Sequence, residues 1–270
     1  MSQLLWTTAA NYETIKITLD NNFISMKKYT PFFTVALVLF SLSSLGQVTS
    51  PVKINAELRK TTAQLVDETH LITEERKEQL IELGDFLIQQ RTTSKETKVL
   101  FVCTHNSRRS HISDTWFQYG LVYYGISGYQ SFSGGLEATA FNPNAIGALE
   151  RAGFSVAFDK KILNPVVSVS PGHYPVWQKQ SKVYTHATNP KQGFIAVMVC
   201  SDADQSCPVV DGAVGRFALP YDDPRHFDGT PSQDLKYDET VAKIGRDFLF
   251  LTSYMKQKLI VAEERTAGQK

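Results

Sequence analysis

The stretch KVLFVCTHNSRRSH, residues 98–111, constrains this chain more than any other. Lys98 to Val102 is a short apolar run rich in Val, Leu and Phe, the pattern of a strand buried on both faces. A helix-like stretch begins near His111. Cys103 and Arg109 lie between them in the spacing Cys, five residues, Arg. A loop at such a strand-to-helix turn aims backbone N–H groups at a bound anion, and the helix start adds partial positive charge at the same point. Sulfur is favoured as thiolate in such surroundings. Arg108, Arg109 and His111 crowd the helix start, where each cation is disfavoured by about 0.3–1 kcal/mol, and an anion held among them offsets that burden. In this reading Cys103 is the nucleophile and Arg109 grips two oxygens of a tetrahedral oxyanion with its planar fork. Ser110 donates its hydroxyl to the thiolate, and Asn106 takes the left-handed conformation that a tight loop needs. Thr104, His105, Ser107 and Arg108 complete the oxyanion-binding loop. The plainer reading of Cys103, a small hydrophobe ending a buried strand, takes no account of Arg109 and Ser110.

Around this stretch the chain alternates strands and helices. Residues 55–91 read as two helical pieces, the second capped by Thr73 and carrying Leu80, Leu83, Phe86 and Leu87 at helical spacing. They are expected to cover a face or edge of a sheet. A polar linker, Thr92 to Lys98, marks a boundary. After the loop, a helix runs to about Tyr119 and is ended by Gly120. A strand at Tyr129 to Ser133 closes on Gly134 and Gly135, and Asn142 with Pro143 opens a helix stopped by Gly153. Further strands are expected at Phe154 to Ala157, Lys182 to His186 and Phe194 to Val199. Asn164 to Gln180, with Pro165, Pro171, Gly172 and Pro175, reads as an irregular insertion. A long helix from about Tyr237 to Glu263 closes the chain. The alternation predicts an α/β three-layer sandwich with a central parallel sheet, plus an N-terminal helical extension, with ligands at the carboxyl ends of the strands.

Length and charge set the remaining bounds. At 270 residues and 42% hydrophobic, the chain can bury a full core. Lys plus Arg at 28 against Asp plus Glu at 27 leaves +1, which gives no electrostatic case for nucleic acid or an anionic membrane. From Met26 the sequence reads MKKYTPFFTVALVLFSLSSLGQ, the pattern of a secretory signal peptide whose apolar run is too short for a stable membrane span. The alternative is an apolar N-terminal helix packed on the domain. The expected divisions are a leader over 1–46, a helical extension and linker over 47–97, and the main domain over 98–265.

Two further constellations carry candidate chemistry. Cys200 and Cys207 stand in VMVCSDADQSCP at the end of a strand. The chain holds three cysteines, an odd number, so at least one thiol is expected to be free or exchanging. A structural disulfide or unrelated buried thiols are the plainer readings. No C-x-x-C pair or His partner stands at metal spacing, so no metal and no cofactor are expected. In ALPYDDPRHFDGT, Asp223 before Pro224 is held extended or in a turn, suiting a carboxylic acid kept over a cleft as proton donor. An ordinary surface turn is the alternative.

Together these residues resemble the low-molecular-weight protein tyrosine phosphatase superfamily, and within it the thioredoxin-coupled arsenate reductases. The resemblance runs from about Lys98 to the final helix. It matches CTHNSRRS to the family's Cys-x5-Arg-Ser loop, with Cys103, Asn106, Arg109 and Ser110 in place. SGGLEATAFNPNA corresponds to its second-strand turn and capped helix, Asp223-Pro224 to its general acid, and Cys200, Cys207 and Pro208 to the cysteine pair of the reductase branch. His105 departs from a loop glycine, Arg108 from a cysteine, Asp114 from Glu, and Arg225 and His226 from the aromatics that follow the Asp-Pro in phosphatases.

The resemblance implies arsenate reduction by a relay: Cys103 attacks arsenate, Cys200 attacks Cys103, and Cys207 leaves a Cys200 to Cys207 disulfide for a thioredoxin-like reductant. A phosphatase acting on a phosphate ester needs only Cys103, Arg109, Ser110 and Asp223. An oxyanion-binding or redox-sensing module without turnover is the third reading. A cleaved leader implies an exported protein, periplasmic or secreted, and without cleavage it is cytoplasmic. Export favours the phosphatase, because oxidising surroundings suit a structural Cys200 to Cys207 disulfide.

Overall fold

The structure, a computed structural model, describes residues 52–206 and 209–267. The leader read at 26–46, Cys207 and Pro208 lie outside the described residues. Helices α1 (Ala56–Asp67) and α2 (Glu74–Thr93) come first, joined by a 3₁₀ turn at Glu68–Leu71. Strand β1 (Thr97–Cys103), helix α3 (Arg109–Tyr123), strand β2 (Tyr129–Gly135) and helix α4 (Pro143–Arg151) follow. Next come β3 (Ser155–Ala157), β4 (Val167–Ser170), β5 (Trp177–Lys179), β6 (Phe194–Met198), α5 (Ser201–Ser206), β7 (Ala213–Ala218) and α6 (Gln233–Ala267).

The expected central parallel sheet is present, flanked by helices, in the order β2-β1-β6-β7 with every pairing parallel. Val99, Leu100, Phe101 and Val102 of β1 are all fully buried, so both faces of the sheet are covered. Burial of each such side chain stabilises the fold by about 1.5–3 kcal/mol, which makes this strand the anchor of the loop that follows it. Neighbouring β6 is likewise buried along its whole length. Parallel register places Cys103 and Cys200 at the same end of the sheet, where β1 stops and just beyond β6.

Thr73 caps α2, accepting a hydrogen bond from Arg76 N at 3.3 Å, and Leu80, Leu83 and Leu87 are buried along it. Both N-terminal helices pack against α6, and α2 also reaches β1. Leu58, Leu65, Leu80, Leu83 and Leu87 belong to the same core as the sheet. Asn142 caps α4 with two hydrogen bonds, from Asn144 N and Ala145 N.

Three expectations are corrected. Gly120 does not end the helix after the loop; α3 runs through it to Tyr123. A Cβ there would lie 2.4 Å from Thr252 Oγ1, so the glycine serves the close approach of α6 rather than a helix end. Lys182–His186 is not a strand: Val183 alone forms a bridge, to Gly135. The insertion is not irregular, since β4 and β5 join β3 in a three-stranded antiparallel sheet. Its alternation of Val167, Ser168, Val169 and Ser170 puts both valines inside, a period-two signal masked by the prolines at either end.

Candidate functional site

The loop between β1 and α3 is held from outside by its carbonyl groups. Cys103 O accepts from Leu136 N at 3.2 Å, Thr104 O from Glu137 N at 2.8 Å, and Ser107 O from Asn142 N at 2.9 Å. His105 O takes two hydroxyls, Ser181 Oγ at 3.2 Å and Thr139 Oγ1 at 3.3 Å. Carbonyls tied outward in this way turn the intervening N–H groups toward a bound anion. Asn106 sits at φ 45°, the left-handed region, as the loop's tightness requires. Gly135 packs on the loop from β2, and a Cβ there would stand 2.6 Å from Asn106 N.

A chain of side-chain hydrogen bonds ends on the sulfur. Lys182 N donates to Asn106 Oδ1 at 2.8 Å, which fixes the amide so that Asn106 Nδ2 donates to Ser110 Oγ, also at 2.8 Å. With its lone pair used, the Ser110 hydroxyl is left to donate to Cys103 Sγ, 3.1 Å away. Cys103 is buried at 3% exposure, and Asn106 and Ser110 are fully buried. The arrangement fixes the position of the sulfur at the base of the loop.

The segment around Asp223 meets the two loop arginines. Arg109 Nη1 donates to Tyr221 O at 3.0 Å and Nη2 to Asp223 Oδ2 at 2.8 Å, while Arg108 Nε donates to Asp223 Oδ1 at 2.9 Å. Burial pushes the Asp223 carboxyl up, but the charges of Arg109 and Arg108 and the hydrogen bond from Arg225 N outweigh it and hold it below the usual carboxylate range. Asp223 thus occupies the arginine fork, and Pro224 behind it opens a 3₁₀ turn at Pro224–Phe227. An oxyanion entering the loop competes for that fork and, by its own charge, favours a proton on Asp223. Cys103, His105, Ser107, Arg108, Arg109 and Asp223 line one small cavity. His105 lies at its mouth, its Nε2 at 3.7 Å from Glu137 Oε2.

Cys200 is fully buried, yet it reaches this loop: its sulfur is 3.4 Å from Thr104 Oγ1, the residue after Cys103. Ala203 N, in α5, also points at Cys200 Sγ at 3.4 Å. Cys103 and Cys200 are both unbridged thiols.

No family model matches the chain. Over 132 residues, 47% of this chain and 77% of the relative, it is 30% identical to arsenate reductase 2 of Staphylococcus haemolyticus. The chain belongs to the arsenate reductase family. An arsenate reductase of Brevibacillus brevis is 28% identical over 152 residues, 90% of its own length. A solved low-molecular-weight protein tyrosine phosphatase from T. tengcongensis covers 60% of this chain and 99% of its own at 16% identity, with a TM-score of 0.41. That likeness is loose, and membership of the family rests on the sequence relatives. Those relatives are enzymes, and so is this chain.

Behind the loop stand side chains whose contacts the sequence did not disclose. Asp114 on α3 is buried and ion-paired with the equally buried Lys179 of β5, with Gln118 and Ser131 as further donors. Burial pushes the Asp114 carboxyl up, but the Lys179 charge and these hydrogen bonds hold it below its ordinary value. His111, two residues after Arg109, is fully buried against Phe141 and Ser133 Oγ. Burial and the nearby Lys179 charge push it down to about 3, so it is neutral and adds no charge to the crowded helix start. Ser181, Lys182 and Gly135 complete the backing. Gly135 was marked in the sequence by the glycine pair closing a strand, and His111 and Asp114 by their places after the loop, whereas Lys179 and Ser181 carried no signal. Among the described residues no group of three or more His, Cys, Asp or Glu is placed to hold a metal ion.

Proposed function

We propose that this enzyme is a thiol-dependent arsenate reductase that uses the Cys103–Arg109 loop and a three-cysteine relay. The observation that carries the reading is Cys200 beside the loop, its sulfur 3.4 Å from Thr104 Oγ1 at the end of the strand paired with β1. A phosphatase has no use for a second buried thiol at that place.

In this reading arsenate enters the loop, and Arg109 exchanges Asp223 for two of its oxygens. The Cys103 thiolate attacks arsenic(V), and Asp223 gives a proton to the departing oxygen, which leaves as water. The Cys200 thiolate then attacks Cys103 Sγ. A sulfur–sulfur bond forms, the sulfur–arsenic bond breaks, and its electron pair stays on arsenic, which departs as arsenite. Cys207 attacks Cys200 in turn, freeing Cys103 and leaving a Cys200–Cys207 disulfide for an external dithiol protein of the thioredoxin kind. With the leader cleaved the protein is exported, and its reductant is then an exported one.

The purified protein is assayed for arsenite production with a small dithiol and, separately, for aryl-phosphate hydrolysis. Cys200→Ser is expected to abolish the first and spare the second, which ends on water. Unchanged arsenite turnover in that variant would sink the relay. N-terminal sequencing of protein recovered from the cell exterior or periplasm tests the leader, and an intact Met26 segment there refutes cleavage.

A further inference from the structure

The N-terminal helices reach the segment around Asp223 through one residue. The Arg76 side chain, in the first turn of α2, is 15% exposed and turns Nη2 and Nε toward residues at the C-terminal side of the chain. Its Nη2 donates to Pro220 O at 2.5 Å and its Nε lies 3.4 Å from Asp247 Oδ2 on α6. The guanidinium carbon sits 4.9 Å above the Tyr221 ring, and Gln79 Oε1 steadies Nη1 from 3.1 Å. The Tyr221 hydroxyl donates to the same Asp247 oxygen at 2.9 Å. The cation thus holds both the backbone before Tyr221 and the ring of Tyr221, which is itself buried.

Tyr221 is also the residue whose carbonyl accepts from Arg109 Nη1, and it stands two before Asp223. We infer that Arg76 is a positioning residue for the catalytic site: α2 holds Pro220 and Tyr221 so that the Arg109 fork and the Asp223 carboxyl meet the anion in line. The inference rests on the roles proposed above for Arg109 and Asp223. It gives the helical extension a function beyond covering the core. An error of about 1 Å in a positioned group costs on the order of a hundredfold in rate, so a single tether can matter at this distance.

A matched control exists within the same extension. Arg246 Nη1 pairs with Glu68 Oε2 at 3.0 Å, tying α6 to the 3₁₀ turn between α1 and α2 with no hydrogen bond to residues 220–223. Arg76→Gln and Arg246→Gln are compared in the full chain by amide hydrogen exchange over residues 219–225. The second readout is arsenite released in a single turnover from pre-reduced enzyme at saturating arsenate. Arg76→Gln is expected to speed exchange in that segment at least about tenfold and to slow turnover by about tenfold, with Arg246→Gln near wild type in both. Arg76→Lys, which keeps the charge over Tyr221 but not the fork, is expected to fall between and serves if the glutamine variant does not fold. Exchange over 219–225 that is unchanged in the Arg76 variants overturns the inference. So does equal slowing by Arg246→Gln, which marks a general loss of stability. Asp223→Asn run beside them separates the two levels. Wild-type turnover in Asp223→Asn removes the acid role of Asp223, while the exchange rates still decide whether Arg76 holds the segment.

Discussion

The two described cysteines end up at the same end of the sheet but are held in very different ways. The Cys103 loop is over-determined. Four of its carbonyls are tied to residues 136–142 and Ser181, Asn106 is fixed at both ends of its amide, and the ion pair behind it is buried. Cys200 leads into α5, a helix of six residues with only Ala203 buried, steadied by a half-exposed pair between Arg216 and Asp204. An anion cradle works by donors fixed before the substrate arrives. A thiol that must attack another sulfur has to travel, and elements with few buried contacts open at low cost. Rigidity is concentrated where the proposed chemistry is electrostatic, and it is relaxed where a covalent bond has to be handed on.

The contrast is sharpest in the nucleophile itself. Cys103→Ser is expected to lower both arsenite production and aryl-phosphate hydrolysis at least about a thousandfold, against the selective loss proposed for Cys200→Ser. Equal loss of hydrolysis in the two variants, measured by initial rates, breaks the division of labour. Next, Lys179→Met leaves Asp114 buried without its partner and is expected to cost about 3–5 kcal/mol in chemical denaturation. Adding Asp114→Asn should recover much of that.

His111 contributes to the acid limb of stability, alongside the depressed carboxyls of Asp114 and Asp223. The unfolded chain takes up a proton on His111 below pH 6.5, whereas the folded protein does so only near pH 3. Stability from this group is therefore complete above about 6.5 and declines as pH falls toward 3, by up to about 1.4 kcal/mol per pH unit. His111→Gln is expected to flatten the melting temperature between pH 6 and pH 4, and an unchanged slope places the acid sensitivity elsewhere. The smallest effect belongs to the second-cysteine segment. Asp204→Asn breaks a partly exposed pair and should cost no more than about 1 kcal/mol. A cost matching that of Lys179→Met would show α5 to be as firmly held as the loop.

The cysteine loop was legible because its signals are local: an apolar strand, a Cys and an Arg at fixed spacing, and a turn-forming Asn within a few residues of each other. Asn106 at φ 45° is what its place in a tight turn called for. Gly120 misled because a glycine selected for close helix packing looks the same in sequence as one that ends a helix. The proline-bounded insertion hid a small sheet whose last strand supplies Lys179, and the segment after it supplies Ser181 and Lys182. Nothing near these three in the chain marks them, since Asp114, His105 and Asn106 lie 65 or more positions away.

By itself, then, the sequence determined most of the elements around the central parallel sheet and the strand, loop and helix that carry Cys103 and Arg109, because each depends on neighbours within a turn or a strand. The tertiary structure decided what those residues rest on. Which carbonyl takes Ser181, which lysine neutralises Asp114, and that Arg76 of an N-terminal helix grips the segment before Asp223 are outcomes of parallel register and helix packing. These bring distant side chains into contact with no periodicity to announce them.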